Sequence, residues 1–492
     1  MSMENFRFTS AGWLGTIARD FTFENVRKVT QGIANYIRKN DLSRKGVIVA
    51  YDHRFMSEDF AAECMRVLLG NGIHVWRAEK ALPAPTVSYA VYKLQLGGGI
   101  MITANYGHAY RSGIKFIPEY AGPLQEDAMQ KIAREMQKVQ ERGKVYQMDI
   151  EEARDFDLVH EIQIDREYIN HLKRLVMPPL FRRREGVRPV RVVVDPLFGS
   201  GMGYVDRVLL DLGCDVKVIN NYRDPLFGGM EPGPWDHNVT DLKRAVVSYQ
   251  ADLGVALDGD GGIFGVVDEK GQFVSANYAA SMILVHMLKT RSLRGSICRS
   301  VATTHLLDSI ARENGLPLIE TAVGFRYVAD AMRQRSCMLG VEENGGFTVM
   351  GHNSDKDGIL ACLLMTEARA AADKPLSVML EDVFNEYGRV YNRRMDRPLD
   401  PEKRNSVLEK LKKWNPRTLA GHKIAKAENT ENEPGKKLEF ENGAWILIRA
   451  ANIAEKLRIY IESPNREFLE EVENDLMQEP ENLLAGNFHR KD

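Results

Sequence analysis

The 492-residue chain reads as an α/β protein of several domains, and three observations predict it. Short apolar strands that end in aspartate recur, each joined to a helical stretch: Val47–Asp52, Arg191–Asp195 and Leu253–Asp258. Strand–helix–strand alternation of this kind builds parallel sheets. The length exceeds what one core holds, at about 100 to 200 residues per domain. From about Leu376 the texture changes to a polar region, a charged loop and two strands, the mark of a separate α+β unit.

Residues 8–20 are glycine-punctuated, with Gly12, Trp13 and Gly15, and read as a loop. Thr22 then caps a helix whose Val26, Val29, Ile33 and Ile37 share one face. Gly46–Asp52 is a buried strand, followed by a helix through Phe60, Cys64, Val67 and Leu68 and a strand from Ile73 to Trp76. A strand Ile100–Thr103 runs into a polar loop, Ala104 to Ser112, and a helix from Leu124 to Val145 leads to charged residues 151–155, where the first boundary is expected. After Asp195, Gly199-Ser200-Gly201-Met202-Gly203 opens a helix toward a strand at Asp215–Ile219. Its third glycine falls at the wrong spacing for a dinucleotide fingerprint, so tight strand-to-helix packing is the expectation. Three strand-to-aspartate units argue for three related α/β domains. The expected ranges are 1–155, 156–255, 256–375 and 376–492, with Trp445–Arg449 and Lys456–Ser463 as strands of the last.

Composition excludes several classes. Apolar content of 44%, charged content of 27% and a net charge of −2 are those of an ordinary globular protein and argue for neither a nucleic-acid nor a membrane partner. No run approaches about 18 apolar residues, and Met1–Asn5 lacks a signal-peptide pattern, so a cytoplasmic location is expected. Five scattered cysteines (Cys64, Cys214, Cys298, Cys337, Cys362) read as buried free thiols.

Several segments in order carry a resemblance: Gly12-Trp13 with Gly15 and Asp20-Phe21-Thr22; Gly113-Ile114-Lys115; Asp258-Gly259-Asp260; and Thr321 with Val323-Gly324. Further on come Glu342 with Gly345-Gly346, Lys356-Asp357-Gly358, and Arg449 with Arg458 and Tyr460. The chain resembles the α-D-phosphohexomutases, the bacterial-type phosphoglucomutases and phosphomannomutases, over its whole length. The resemblance implies three related α/β domains with mixed sheets and a smaller α+β domain around a central cleft. It also implies transfer of phosphate between positions 1 and 6 of a hexose through a phosphoserine, with magnesium.

That chemistry makes four demands. The family's carrier is the serine of a Thr-Ala-Ser-His-Asn-Pro loop; here Thr103-Ala104-Asn105-Tyr106-Gly107-His108 stands in its place. The Asn105 amide forms no stable phosphoester, which leaves Thr103, Tyr106 and Ser112 as the other carriers to weigh. The family holds Mg2+ with three aspartates and the phosphoserine. Asp258 and Asp260 remain, whereas Gly262 and Ile263 replace the third aspartate and the arginine, so the pair reads either as a weakened Mg2+ site or as solvated carboxylates. The phosphate-gripping loop reads Arg449-Ala450-Ala451-Asn452-Ile453-Ala454-Glu455, without hydroxyls, and Arg449 and Arg458 serve either as phosphate ligands or as ion-pair partners. In Ser10-Ala11-Gly12-Trp13-Leu14-Gly15, Leu14 replaces a charge-stabilising arginine.

Lys115 persists in the loop's exit, and Glu342 and Asn344 remain as sugar-binding candidates. The lining expected from Leu14, Asn105, Tyr106, His108 and Ile263 is bulky and less polar, implying an occluded cleft or a different ligand. The expectation is a phosphohexomutase-like pseudoenzyme that serves binding, regulation or assembly, with a sugar phosphate or other small ligand and a protein partner or larger complex as occupants. The alternative is an active phosphoglucomutase/phosphomannomutase with a non-standard carrier.

Overall fold

A computed structural model describes residues 8–181, 188–292, 294–430, 434–451 and 456–477. Among the described residues there are four sheets. The first runs in the order Trp13–Thr16, Arg111–Pro118, Gly98–Ile102, Val47–Tyr51, Val75–Ala78, Val159–Ile162. Its last four strands are parallel and its first two antiparallel, so it is mixed. The strand Trp13–Thr16 lies where a loop is expected: four residues at an edge, paired to Arg111–Ile114, are too short to show a period of two. The helix Phe23–Lys39 follows as expected, with the Thr22 side chain accepting from the Asn25 amide.

The second sheet runs Phe273–Val274, Phe264–Asp268, Leu253–Leu257, Arg191–Asp195, Asp215–Val218. The third is Leu318–Thr321, Ser296–Ser300, Cys337–Val341, Phe347–Val349. Three related α/β units are present, but the three strand-to-aspartate segments do not fall one to each. Asp52 ends a strand of the first sheet, whereas Asp195 and Asp258 both end strands of the second. The expected boundary after 255 therefore cuts through Leu253–Leu257, and that after 155 leaves out Val159–Ile162 of the first sheet. Strand pairing is long-range, and local pattern does not reveal it.

The helix Gly358–Ala372 is predominantly apolar and buried from Gly358 to Ala368, with Glu367 paired to His286 and Arg291. Such a helix belongs inside. It packs on the strands Leu253–Leu257 and Phe264–Asp268 of the second unit and on Phe347–Val349 of the third, joining them in one core. The C-terminal unit is a six-stranded antiparallel sheet closed by the helix Arg466–Leu476, with its own core around Leu438, Ile446, Ile459 and Phe468. The helix Leu376–Tyr387, expected in that unit, packs instead on Ala276–Thr290 and Leu306–Glu313 of the third. All five cysteines are buried thiols, and no described helix is long and apolar enough to cross a membrane.

Candidate functional site

Segments from all four units line one open cleft of about 2170 Å³. The expectation of an occluded cleft does not hold. Basic side chains outnumber acidic ones on its described lining, eleven to eight, in a chain of net charge −2. The excess favours an anionic occupant.

The loop after Gly98–Ile102 reaches into this cleft. Asn105 takes a left-handed conformation at φ 50°, and its N–H donates to Thr103 Oγ1 at 2.9 Å. Beneath it lies Arg54, fully buried and paired with Asp52 at 3.1 Å. The guanidinium donates to the carbonyls of Asn105 (2.7 Å), Gly107 (2.8 Å), His108 (2.8 Å) and Arg111 (3.1 Å). One cation thus sets the path of the whole loop. Sequence reasoning missed it, although an arginine two residues beyond a strand-ending aspartate is a visible signal. The loop is also held from the side: His108 Nε2 is 2.9 Å from Glu231, and Tyr106 meets Trp235 edge to face at 5.4 Å. Arg394 of the C-terminal unit lies over the same indole at 5.5 Å and 3.5 Å from Glu343.

Asn105 presents a carboxamide whose Oδ1 is buried without a hydrogen bond. The other carrier candidates are placed elsewhere. The Thr103 hydroxyl donates to Asp260 Oδ2 at 3.3 Å while it accepts from Asn105. Ser112 is fully buried on the strand, opposite Gly15, and Tyr106 packs on Trp235.

Asp258 and Asp260 come together beside this loop, but both are fully buried and neither is a solvated carboxylate. Asp258 Oδ1 accepts from the Ile263 amide at 3.0 Å, and Oδ2 has no partner. Burial, then the neighbouring Asp260, pushes the Asp258 carboxyl well above the usual range. A Cβ added at Gly262 would lie 3.2 Å from Lys356 Cε and 3.6 Å from Nζ. The Lys356 ammonium therefore stands where a third carboxylate would project, and the charges of Asp258 and Asp260 raise its pKa against the effect of burial. No group of three or more His, Cys, Asp or Glu among the described residues is placed to hold a metal ion. A hard divalent ion wants several oxygen ligands, and two carboxylates already facing an ammonium do not fit one. Ile263, expected in the lining, is fully buried and bridges Gly346 through its backbone.

Lys115 is buried and paired with Asp355 at 3.1 Å, and Ser88 donates to the same carboxylate at 2.8 Å. Burial opposes that charge, but Lys115 and Ser88 outweigh it and hold the Asp355 carboxyl below its usual range. Glu342 accepts from the Gly324 amide at 2.7 Å, and burial raises its pKa. Asn344 spends its Oδ1 on Gly346 N at 3.0 Å, inside its own turn. Arg449 is buried, with Nη2 3.3 Å from the Tyr460 hydroxyl. Arg458 pairs with Asp396 at 3.3 Å, beside Arg394 and Lys456 on the same carboxylate. Asn452, Ile453, Ala454 and Glu455 lie outside the described residues. Leu14 packs on the backbone at Gly113, where a Cβ would come within 2.4 Å of Leu14 Cδ2. A Cβ at Gly199 would lie 2.8 Å from the Gly259 carbonyl, so the glycine run there serves close packing.

Comparison with known proteins agrees with this architecture. Residues 5–143, 166–271 and 275–387 match the models of phosphoglucomutase/phosphomannomutase α/β/α domains I, II and III. A phosphoglucomutase/phosphomannomutase of Thermococcus kodakarensis is 27% identical over 94% of this chain and 96% of its own length. A phosphoglucosamine mutase of Nitratiruptor is 28% identical, covering 90% and 92% of the two chains. The crystal structure of a candidate phosphomannomutase from Thermus thermophilus superposes with a TM-score of 0.82 at 24% identity, covering 98% and 99%. That likeness is one of fold.

Proposed function

This chain belongs to the phosphoglucomutase/phosphomannomutase family, and we propose that within it this protein is a pseudoenzyme, a phosphohexomutase scaffold that binds an anionic sugar derivative and does not transfer phosphate. One observation carries the reading. The Arg54-supported loop carries Asn105 at the position that its resemblance to the family's loop aligns with the phosphoserine. A carboxamide cannot hold a phosphoryl group while the sugar turns over.

The rest of the cleft supports binding. The Lys356 ammonium makes no hydrogen bond or ion pair among the described residues, and Arg326, Arg404, Arg449 and Arg458 line the same space. A phosphate ester of a hexose or hexosamine meets that charge, with Glu342 facing its hydroxyls. Lys356 supplies the positive charge that a divalent ion would otherwise bring to Asp258 and Asp260. The bound protein then acts on a partner or assembly in the cytoplasm.

The test is a coupled assay with glucose 1-phosphate, mannose 1-phosphate and glucosamine 1-phosphate, each with a bisphosphate activator and magnesium. Calorimetry with the same compounds and intact mass of the native protein accompany it. Binding without turnover and without a phosphoryl adduct is expected. Turnover abolished by replacing Asp258 and Asp260 with alanine overturns the reading.

A further inference from the structure

Tyr110 and Arg111, at the exit of the loop that carries Asn105, line the cleft on the first unit. Tyr110 directly precedes the strand Arg111–Pro118 and is 58% exposed. One face of its ring lies on the His108 imidazole, with centroids 5.1 Å apart and planes 16° from parallel. No other ring or cation covers it among the described residues. A single exposed ring on an outer surface carries no meaning. This one lines a binding cleft and ends a stack that a further planar ring would continue.

Arg111 beside it is half-buried. Its Nε is buried, but both terminal nitrogens keep accessible surface, and they make no hydrogen bond or ion pair among the described residues. The nearby acid is already taken. Asp20 is bound by Arg19 at 2.9 Å, and that bond, with a smaller influence from Arg111, holds its carboxyl below the usual range. The Arg111 fork is thus open to an anion. The backbone under both residues is set before any ligand arrives: the Ile17 N–H donates to the Tyr110 carbonyl at 2.9 Å, Arg111 pairs with Thr16 across the strands, and Arg54 donates to the Arg111 carbonyl at 3.1 Å. Arg404, Arg449, Lys456 and Arg458 line the same cleft from the C-terminal unit. A hexose monophosphate has one phosphate to divide between these two walls and no planar ring to set on Tyr110. The cleft, at about 2170 Å³, exceeds the about 300 to 1,000 Å³ of ordinary small-molecule sites and has room for a longer molecule.

We propose that the occupant of the cleft is a sugar joined through a diphosphate to a nucleoside, its base stacked on Tyr110 and its diphosphate held by Arg111. This rests on the reading of the cleft as a site for an anionic sugar derivative, and it names the class of that derivative. Stacking on an aromatic side chain tolerates any base, because every base has a π-face. The site therefore selects the presence of a base and not its identity.

Calorimetry on the full chain compares glucose 1-phosphate with UDP-glucose and ADP-glucose, and these with free UDP and ADP. At least one nucleotide sugar is expected to bind about tenfold or more tightly than glucose 1-phosphate, and more tightly than its free nucleoside diphosphate. Y110A and R111Q are each expected to bring the ratio of the two sugar affinities down toward one, whereas R111K, which keeps the charge without the fork, retains part of it. Tyr110 is exposed, so an unfolding midpoint for Y110A level with the parent's separates lost stacking from lost fold. Four results overturn the proposal: no binding of either nucleotide sugar, a ratio near one in the parent, free diphosphate bound as tightly as the nucleotide sugar, or a ratio indifferent to Y110A and R111Q. The ratio is read without catalysis. Turnover of glucose 1-phosphate would defeat the pseudoenzyme reading and leave the ratio standing, whereas a ratio near one, with glucose 1-phosphate bound and not turned over, defeats this proposal alone.

Discussion

Arg54 and Lys356 are two cations under one cleft, and they are used in opposite ways. Arg54 has no exposed surface and spends its donors on Asp52 and four loop carbonyls. The Lys356 ammonium faces the cleft and two buried carboxylates, with no ion pair formed among the described residues. A fully satisfied buried cation specifies backbone geometry, whereas an unsatisfied one is available to a ligand. Arg54 therefore sets the shape of the site, and Lys356 is left facing what enters it.

Breaking the supporting cation should have the largest effect. Arg54→Ala leaves Asp52 buried without its ion partner and takes a donor from each of four loop carbonyls, and should cost about 3–5 kcal/mol in urea unfolding. Arg54→Lys should not rescue it, because a single ammonium cannot reach four carbonyls. The opposite signature belongs to Lys356→Met: a smaller loss of unfolding free energy than in Arg54→Ala, since no hydrogen bond among the described residues is broken, with affinity for glucose 1-phosphate reduced about tenfold or more by calorimetry. A smaller gain sharpens the contrast. Gly262→Asp combined with Lys356→Ala clears the ammonium and adds a third carboxylate, and bound Mn2+ should then appear by electron paramagnetic resonance where the parent shows none.

Asn105→Ser alone should leave turnover at the parent's background in the coupled assay, since Leu14 and the hydroxyl-free loop after Arg449 still offer no charge stabilisation. The smallest expected effect is in pH dependence. The folded-state carboxyl of Asp258 titrates above its unfolded value, so the folded chain retains a proton that the unfolded chain releases first. Stability then falls as pH rises from the ordinary carboxylate range toward the shifted value, and Asp258→Asn should flatten that fall in denaturant midpoints measured across pH.

Local pattern made much of this legible. The Thr22 cap, the strands ending at Asp52, Asp195 and Asp258, and the change of texture toward the C-terminal sheet follow from hydrophobic period and capping chemistry. What local pattern lacks is partnership. The grouping of Asp195 and Asp258 in one sheet, the edge strand Trp13–Thr16 and the burial of Ile263 all depend on pairings distant in sequence. The same limit hid the roles of Arg54 and Lys356: both residues are plain in the sequence, but their function is defined by carbonyls and carboxylates brought from elsewhere. Motif comparison located Asn105 because loop length alone aligns it.

The loop carrying Asn105 is gripped by Arg54 beneath and by Trp235 and Glu231 at its side. Its conformational entropy is thus surrendered when the chain folds and not when a ligand arrives. An occupant of the cleft meets a pre-shaped wall, so that loop contributes little to any heat-capacity change or slow isomerisation on association. The protein should recognise its ligand as a rigid receptor does, with affinities set by how fast the complex dissociates.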